Sequence, residues 1–136
     1  MASSWILKTE PGTYSWSDLV REGRAVWDGV ASAAALIHLR AMVKGDEVLI
    51  YHSGDGKAIV GIAKIAKGPY PDPKLADPKL VVVDVVPVRA LKAPVPLAAI
   101  KAVAGLADLG LVRISRLSCM PVTPRQRALL EKLGVK

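Results

Sequence analysis

EVLIY (residues 47–51), HSGDGK (52–57) and AIVGIAKIA (58–66) stand side by side in the middle of the chain, and their reading decides the fold. Two runs rich in Val and Ile flank a polar segment whose Asp55-Gly56 pair is a strong turn signal, so the stretch reads as a β-hairpin with a loop of about six residues. On its N-terminal side, SWILKT (4–9) is a short apolar run stopped by Glu10-Pro11-Gly12, the pattern of a buried first strand ending in a turn. Ser15 with Asp18 forms a capping-box pattern ahead of an apolar stripe of Trp16, Leu19 and Val20, and Gly23 closes what should be a two-turn helix. Residues 31–42, with Ala33, Ala34, Ala35, Leu36 and Leu39, have helix composition and run into Lys44-Gly45-Asp46.

On the C-terminal side, residues 68–73 carry Pro69, Pro71 and Pro73 and are expected to hold no regular structure, because proline removes donors and restricts its neighbour. KLVVVDVVPVR (79–89) reads as a long strand, with Pro87 pointing to a sheet edge. Residues 97–103 suggest a short helix and 115–122 a last strand. A final helix follows, with Thr123 as N-cap, Pro124 at the first helical position, Gln126 completing the capping box, a Leu129, Leu130 and Leu133 stripe, and Gly134 as stop. The order strand, helix, helix, hairpin, strand, helix, strand, helix predicts an α+β, β-rich fold: a mixed barrel or sheet with peripheral helices, within a single domain over residues 1–136.

The 51% hydrophobic and 23% charged residues place the chain among globular proteins rather than disordered ones. No apolar run approaches the ~18 residues a membrane helix needs, and Met1 to Trp5 lack the features of a signal peptide, so a cytoplasmic location without membrane association is expected. The single cysteine, Cys119, excludes an internal disulfide and a Cys-based zinc cluster, and two separated histidines, His38 and His52, do not make a metal site. Neither a metal nor a cofactor is expected. Net charge is +7, and its distribution is uneven: eight Lys and Arg face seven Asp and Glu through Gly68, whereas eleven face five from Pro69 onward. A basic second half suits a polyanionic partner, with Arg113, Arg125 and Arg127 as candidate phosphate contacts, although a solvated surface has the same composition.

Catalytic chemistry finds little support. His52 stands beside Ser53 and Asp55, but neighbours along a strand or turn point apart, whereas a triad needs convergence. Cys119, between Ser118 and Met120, reads as a small buried residue. No carboxylate pair stands out, and the glycines do not form a phosphate-cradling loop. The chain therefore leans toward binding by its basic residues and its few aromatics. A base stacked on an aromatic face gains about 1–3 kcal/mol, so a single well-placed Trp matters.

Several stretches, in order along almost the whole chain, resemble the EVE-domain family: Trp5-Ile6-Leu7-Lys8-Thr9-Glu10-Pro11, Trp27-Asp28-Gly29-Val30, Leu39-Arg40-Ala41-Met42, Tyr51-His52-Ser53, Tyr70-Pro71-Asp72-Pro73, Val83-Asp84-Val85 and Arg116-Leu117-Ser118 with Pro121-Val122-Thr123. The resemblance implies a PUA-like β-barrel that recognises a modified base in DNA or RNA, and, with no catalytic constellation in the sequence, the chain is expected not to be an enzyme. It also implies a pocket bordered by Lys8 and Thr9, walled by Trp27, with polar contacts from His52 and Ser53 and closure by Arg116 and Ser118. One segment departs. Where family members read Arg-Asn-Tyr-Gln-Ala-Arg-Asn, this chain has Ala31-Ser32-Ala33-Ala34-Ala35-Leu36-Ile37, which removes cations, amides and an aromatic from the expected pocket mouth. A small-molecule or protein-binding module on the same fold is the alternative that this departure leaves open, and a nucleic-acid hydrolase centred on His52 is a third.

Overall fold

The computed structural model describes residues 3–136, apart from the side chain of Asp55, so the expected grouping of Asp55 with His52 and Ser53 lies partly outside the described residues. The central hairpin forms as read. β3 (Glu47–His52) and β4 (Ala58–Pro71) pair antiparallel around a 3-10 turn at Gly54–Gly56. β1 (Ser4–Thr9) lies against β3 in parallel, from Ser4 opposite Glu47 to Thr9 opposite His52. The other side of β1 is taken antiparallel by β6 (Cys119–Val122), and β4 pairs with the long β5 (Val81–Pro96).

A sixth strand, β2 (Ala25–Trp27), is not legible in the sequence. It pairs with β5, placing Val26 opposite Asp84 and Trp27 opposite Val83. The strand order is β2-β5-β4-β3-β1-β6, an open six-stranded sheet rather than a hydrogen-bonded closed barrel. Among the described residues, the edge strands β2 and β6 span three and four residues and pair only with β5 and β1. Curvature comes instead from β4 and β5, whose register shifts at four places, since each bulge bends the strand that carries it.

One of these irregularities corrects the reading of residues 68–73. Residues 68–71 belong to β4 after all, because Gly68 and Pro69 fall inside the shift between Lys67 and Tyr70, where no regular ladder donor is required. Only glycine suits position 68. Its φ is +111°, and a Cβ would lie 3.0 Å from Val82 O and 3.1 Å from Val83 Cα. Pro87 sits within β5 rather than near its end, but β2 covers only Val83 to Val85, so beyond them β5 has a free flank as a proline requires.

The helices follow their caps. In α1 (Trp16–Glu22) the Ser15 and Asp18 capping box is complete and Gly23 stops the helix in the left-handed region. α2 (Ala33–Ala41) starts at an Ser32 cap and buries Ala35, Leu36 and Leu39. α3 (Leu97–Lys101) and α4 (Gly110–Arg113) are short, and α4 has no sequence signal because no side chain caps it. α5 (Pro124–Lys132) has the full Thr123 and Gln126 box.

The core runs along both faces of the sheet through Ile6, Leu7, Leu49, Ile50, Ile59, Ile62 and Ile65, with Met42, Ile100, Leu106 and Leu130 from the helical segments. Trp5 and Trp16 are buried in it. The Trp5 indole N–H donates to the buried Asp46 carboxylate (2.9 Å), which also accepts from the backbone of Val43 and Ser3. The carboxylate thereby joins the turn before β3 to the start of β1, and its burial is compensated by three donors. Among the described residues, no helix is long and apolar enough to cross a membrane.

Candidate functional site

A cleft of about 620 Å³ opens where the C-terminal end of β1, the 10–14 turn, the end of α1, β2 and the Asp28-Gly29-Val30 loop converge. That volume lies within the range of small-ligand sites. Trp27 is half-buried along it, and Tyr14 meets its ring edge-on, with centroids 6.0 Å apart and planes at 87°. This T-shaped pair fixes the indole and leaves it as the aromatic wall. Around it stand Lys8, Arg24 and Lys74 against Glu10, Glu22 and Asp28, with Thr9, Thr13 and Ser118 as neutral polar groups. Three cations balance three anions. Such a lining suits an uncharged, flat, polar-edged group better than a phosphate, which calls for an excess of cations.

The walls are held from behind. The Thr9 hydroxyl donates to Tyr14 O (2.6 Å), closing the turn between β1 and α1. The Tyr14 hydroxyl donates to Glu22 Oε1 (2.7 Å), and burial, followed by that carboxylate, raises the phenol well above its ordinary range. Lys8 reaches the opposite side: its ammonium donates to Ser115 O (2.8 Å) and lies 5.7 Å from the Tyr51 ring centre, while its backbone N–H donates to Ser118 O (2.9 Å). Burial lowers its pKa from the ordinary lysine value. These contacts tie the segment after α4, which carries Arg116 and Ser118, to the end of β1. On the far rim Lys74 reaches toward Asp28 at 3.9 Å, an exposed pair of small energetic weight.

Of the residues expected from the sequence, Lys8, Thr9, Trp27 and Ser118 are brought together in the cleft. Arg116 is exposed, two residues before Ser118, outside the lining. His52 and Ser53 stand behind the wall. His52 Nε2 accepts from the Trp16 N–H (2.9 Å), so the imidazole caps the first turn of α1; burial lowers its pKa, with Glu10 opposing. Ser53 donates through both backbone N–H (2.9 Å) and hydroxyl (3.3 Å) to Thr9 O. Both residues hold the loops that form the cleft. Arg113 and Arg125 are exposed, whereas Arg127 turns inward: its guanidinium pairs with Glu47 and donates to Val135 O (2.7 Å), which corrects its reading as a phosphate contact.

The lining also includes Tyr14, Glu22 and Arg24, for which the sequence carries no separate site signal. The Ala31 to Ile37 segment supplies none of the lining: Leu36 is packed in the core and Ile37 is 63% exposed on the outside of α2. The cleft is therefore open beside Trp27 and not filled by either side chain. Among the described residues, no group of three or more His, Cys, Asp or Glu is placed to hold a metal ion.

A small mixed sheet with an aromatic-walled, charge-balanced cleft at the end of its first strand defines the class of protein. The chain belongs to the EVE-domain family, whose model matches residues 3–133. It is 32% identical to human thymocyte nuclear protein 1 over 93% of this chain and 71% of that protein. Among solved structures it is similar to Rpa0253 from Rhodopseudomonas palustris, with 44% identity, a TM-score of 0.92, and coverage of 98% of this chain and 93% of that one. It is likewise similar to human THYN1 protein in complex with 5-methylcytosine-containing DNA, at 31% identity and a TM-score of 0.89, covering 99% of each chain.

Proposed function

We propose that residues 1–136 act as a single, non-enzymatic nucleic-acid-binding domain of PUA-like type that takes an extruded, modified base into the cleft beside Trp27 and works in the cytoplasm. The observation that carries this reading is the division of chemistry between the cleft and the exposed surface outside its lining. The cleft is aromatic and charge-balanced, while free cations sit outside it at Arg113 and Arg116. A flipped nucleotide needs that division, with a stacking wall and hydrogen-bonding groups for the base and cations for the flanking phosphates. The human relative crystallised with 5-methylcytosine-containing DNA supports the choice of base class. In this reading Trp27 stacks on the base, Thr9 and Ser118 meet its edge, Lys8 borders the pocket, Arg113, Arg116 and Arg125 contact phosphates, and His52 with Ser53 keeps the wall in place.

The test is fluorescence anisotropy with short duplexes that carry or lack one 5-methylcytosine, at two salt concentrations. Affinity should fall with salt. Trp27→Ala should weaken binding of the modified duplex about 10- to 100-fold with an unchanged salt slope, since stacking is lost and no phosphate contact is. Arg116→Ala should reduce the slope by about one and weaken both duplexes alike. Binding that is absent or indifferent to salt, or a Trp27→Ala variant that binds as tightly as the parent, would overturn the proposal.

A further inference from the structure

Arg24 lines the cleft, yet its setting differs from that of the other cations there. Its Nε and Nη2 donate to one oxygen of Asp84, at 3.1 and 2.7 Å, and the other oxygen of Asp84 accepts from the Tyr70 hydroxyl. The Arg24 side chain is 52% exposed and that of Asp84 only 9%, so a fixed carboxylate grips the back of a guanidinium whose front is open. Nη1 has no partner among the described residues. Lys67 covers the Tyr70 ring, 4.7 Å from its centre.

The backbone builds this arrangement. Asp84 on β5 lies opposite Val26 of β2 on one side and Lys67 of β4 on the other, so Arg24, immediately before β2, begins beside it. The shift at Gly68 and Pro69 then brings Tyr70 within reach of the same carboxylate. Three strands thus converge on one acidic group that is otherwise costly to bury. The Arg24 and Tyr70 hydrogen bonds outweigh burial and hold Asp84 ionised, its pKa below the ordinary value.

An arginine that only attracts phosphate works well on an exposed, flexible side chain. Arg24 has its charge offset by Asp84 and its plane fixed, which weakens a general pull on anions but aims the remaining N–H donors in one direction. We propose that Arg24 is the specificity-determining residue of the cleft, its open Nη1 edge donating to a carbonyl or ring-nitrogen acceptor on the bound base, with Asp84 and Tyr70 as its positioning residues. This rests on the nucleic-acid reading above and adds which group reads the base edge and what aims it.

The experiment compares a short duplex carrying one 5-methylcytosine with the same duplex carrying an abasic site there, which keeps the phosphates and removes the base. Arg24→Lys retains the charge and the attraction to Asp84 but cannot hold Asp84 and present a fixed planar edge together. It should weaken binding of the base-bearing duplex about tenfold and leave the abasic duplex unaffected, with no change in salt slope. Tyr70→Phe removes only the hydroxyl that steadies Asp84 and should produce a loss of about threefold in the same direction. Thermal melts confirm folding, and the Tyr70 variant decides the matter if the Arg24 variant does not fold. Equal losses on both duplexes, or no loss on either, overturn the proposal. A parent protein that binds neither duplex, or does not distinguish them, refutes the base-pocket reading itself and this inference with it.

Discussion

Gly61→Ala should cost stability through a single contact. Position 61 lies inside β4, held by Ile50 of β3 on one side and Ala90 of β5 on the other, and the Trp16 indole presses on its backbone. A methyl group there would stand 2.6 Å from Cδ2, Cε2 and Cε3 of Trp16. Carbon atoms prefer about 3.5–4.0 Å, so the ring would have to retreat by about 1 Å. It has little room to do so, because Trp16 is buried and its backbone N–H is bonded to His52. Overpacking of this kind costs about 1–3 kcal/mol, here about 2–2.5 kcal/mol for three ring atoms at 2.6 Å, and the loss of glycine's freedom in the unfolded chain returns about 0.5–1 kcal/mol, leaving about 1–2 kcal/mol. For a chain of this length the unfolding entropy makes that a fall in Tm of about 4–7 °C, readable by circular dichroism. The discriminating measurement is a double-mutant cycle with Trp16→Ala, which itself should cost about 3–5 kcal/mol. Without the indole, the added methyl should be neutral or slightly stabilising. An unchanged Tm in the single variant, or the same cost with and without Trp16, would show that the contact does not confine position 61.

Other outcomes follow from contacts already described. His52 has a folded-state pKa below its unfolded value of about 6.5, so the unfolded chain takes up the proton first. Its contribution should be complete above that pH and decline as pH falls below it, and His52→Ala should flatten this part of a stability-versus-pH curve measured by urea denaturation. Arg127→Ala should destabilise by about 2 kcal/mol in the same assay, since it strips a partly buried Glu47 of its partner, and it should leave the salt slope of nucleic-acid binding unaltered. Burial pushes the Cys119 thiol up to about 12, so an aromatic disulfide reagent should label it only at the rate of unfolding; rapid labelling of the native protein would contradict its placement.

What the sequence made legible was local. Ser15 with Asp18 and Thr123 with Gln126 announce two helix starts because each capping box is contained in four residues. The central hairpin is equally self-contained. Sheet order is not: the pairing of residues 4–9 with 47–52 and with 119–122 depends on packing between distant segments, and nothing within the strands encodes the parallel sense of the first pair. β2 escaped because three residues carry no measurable alternation, and Pro69 misled because its fitness for a strand depends on a bulge that only the partner strand defines. In the cleft, Lys8, Thr9, Trp27 and Ser118 were accessible through family motifs. Arg24 was not, since an exposed arginine after a helix is ordinary until Asp84, sixty positions away, is seen to grip it. The motif around His52 points to the site, whereas the hydrogen bond that its Nε2 accepts from the Trp16 backbone N–H, thirty-six positions away, is visible only in the folded chain.

The position of β1 between β3 and β6 has a consequence for the order in which the molecule can assemble. Synthesis delivers residues 4–9 before either of their partners, but their hydrogen-bonding groups are shared between residues 47–52 and 119–122. An emerging chain can close the β3–β4 hairpin early, yet Lys8 and Ser118, which flank the same cleft, do not meet until the last strand has left the ribosome. Such long loop closures slow folding. Nascent chains halted before residue 119 should therefore be readily digested by protease, and recognition should emerge in one step with the final strand rather than grow with chain length.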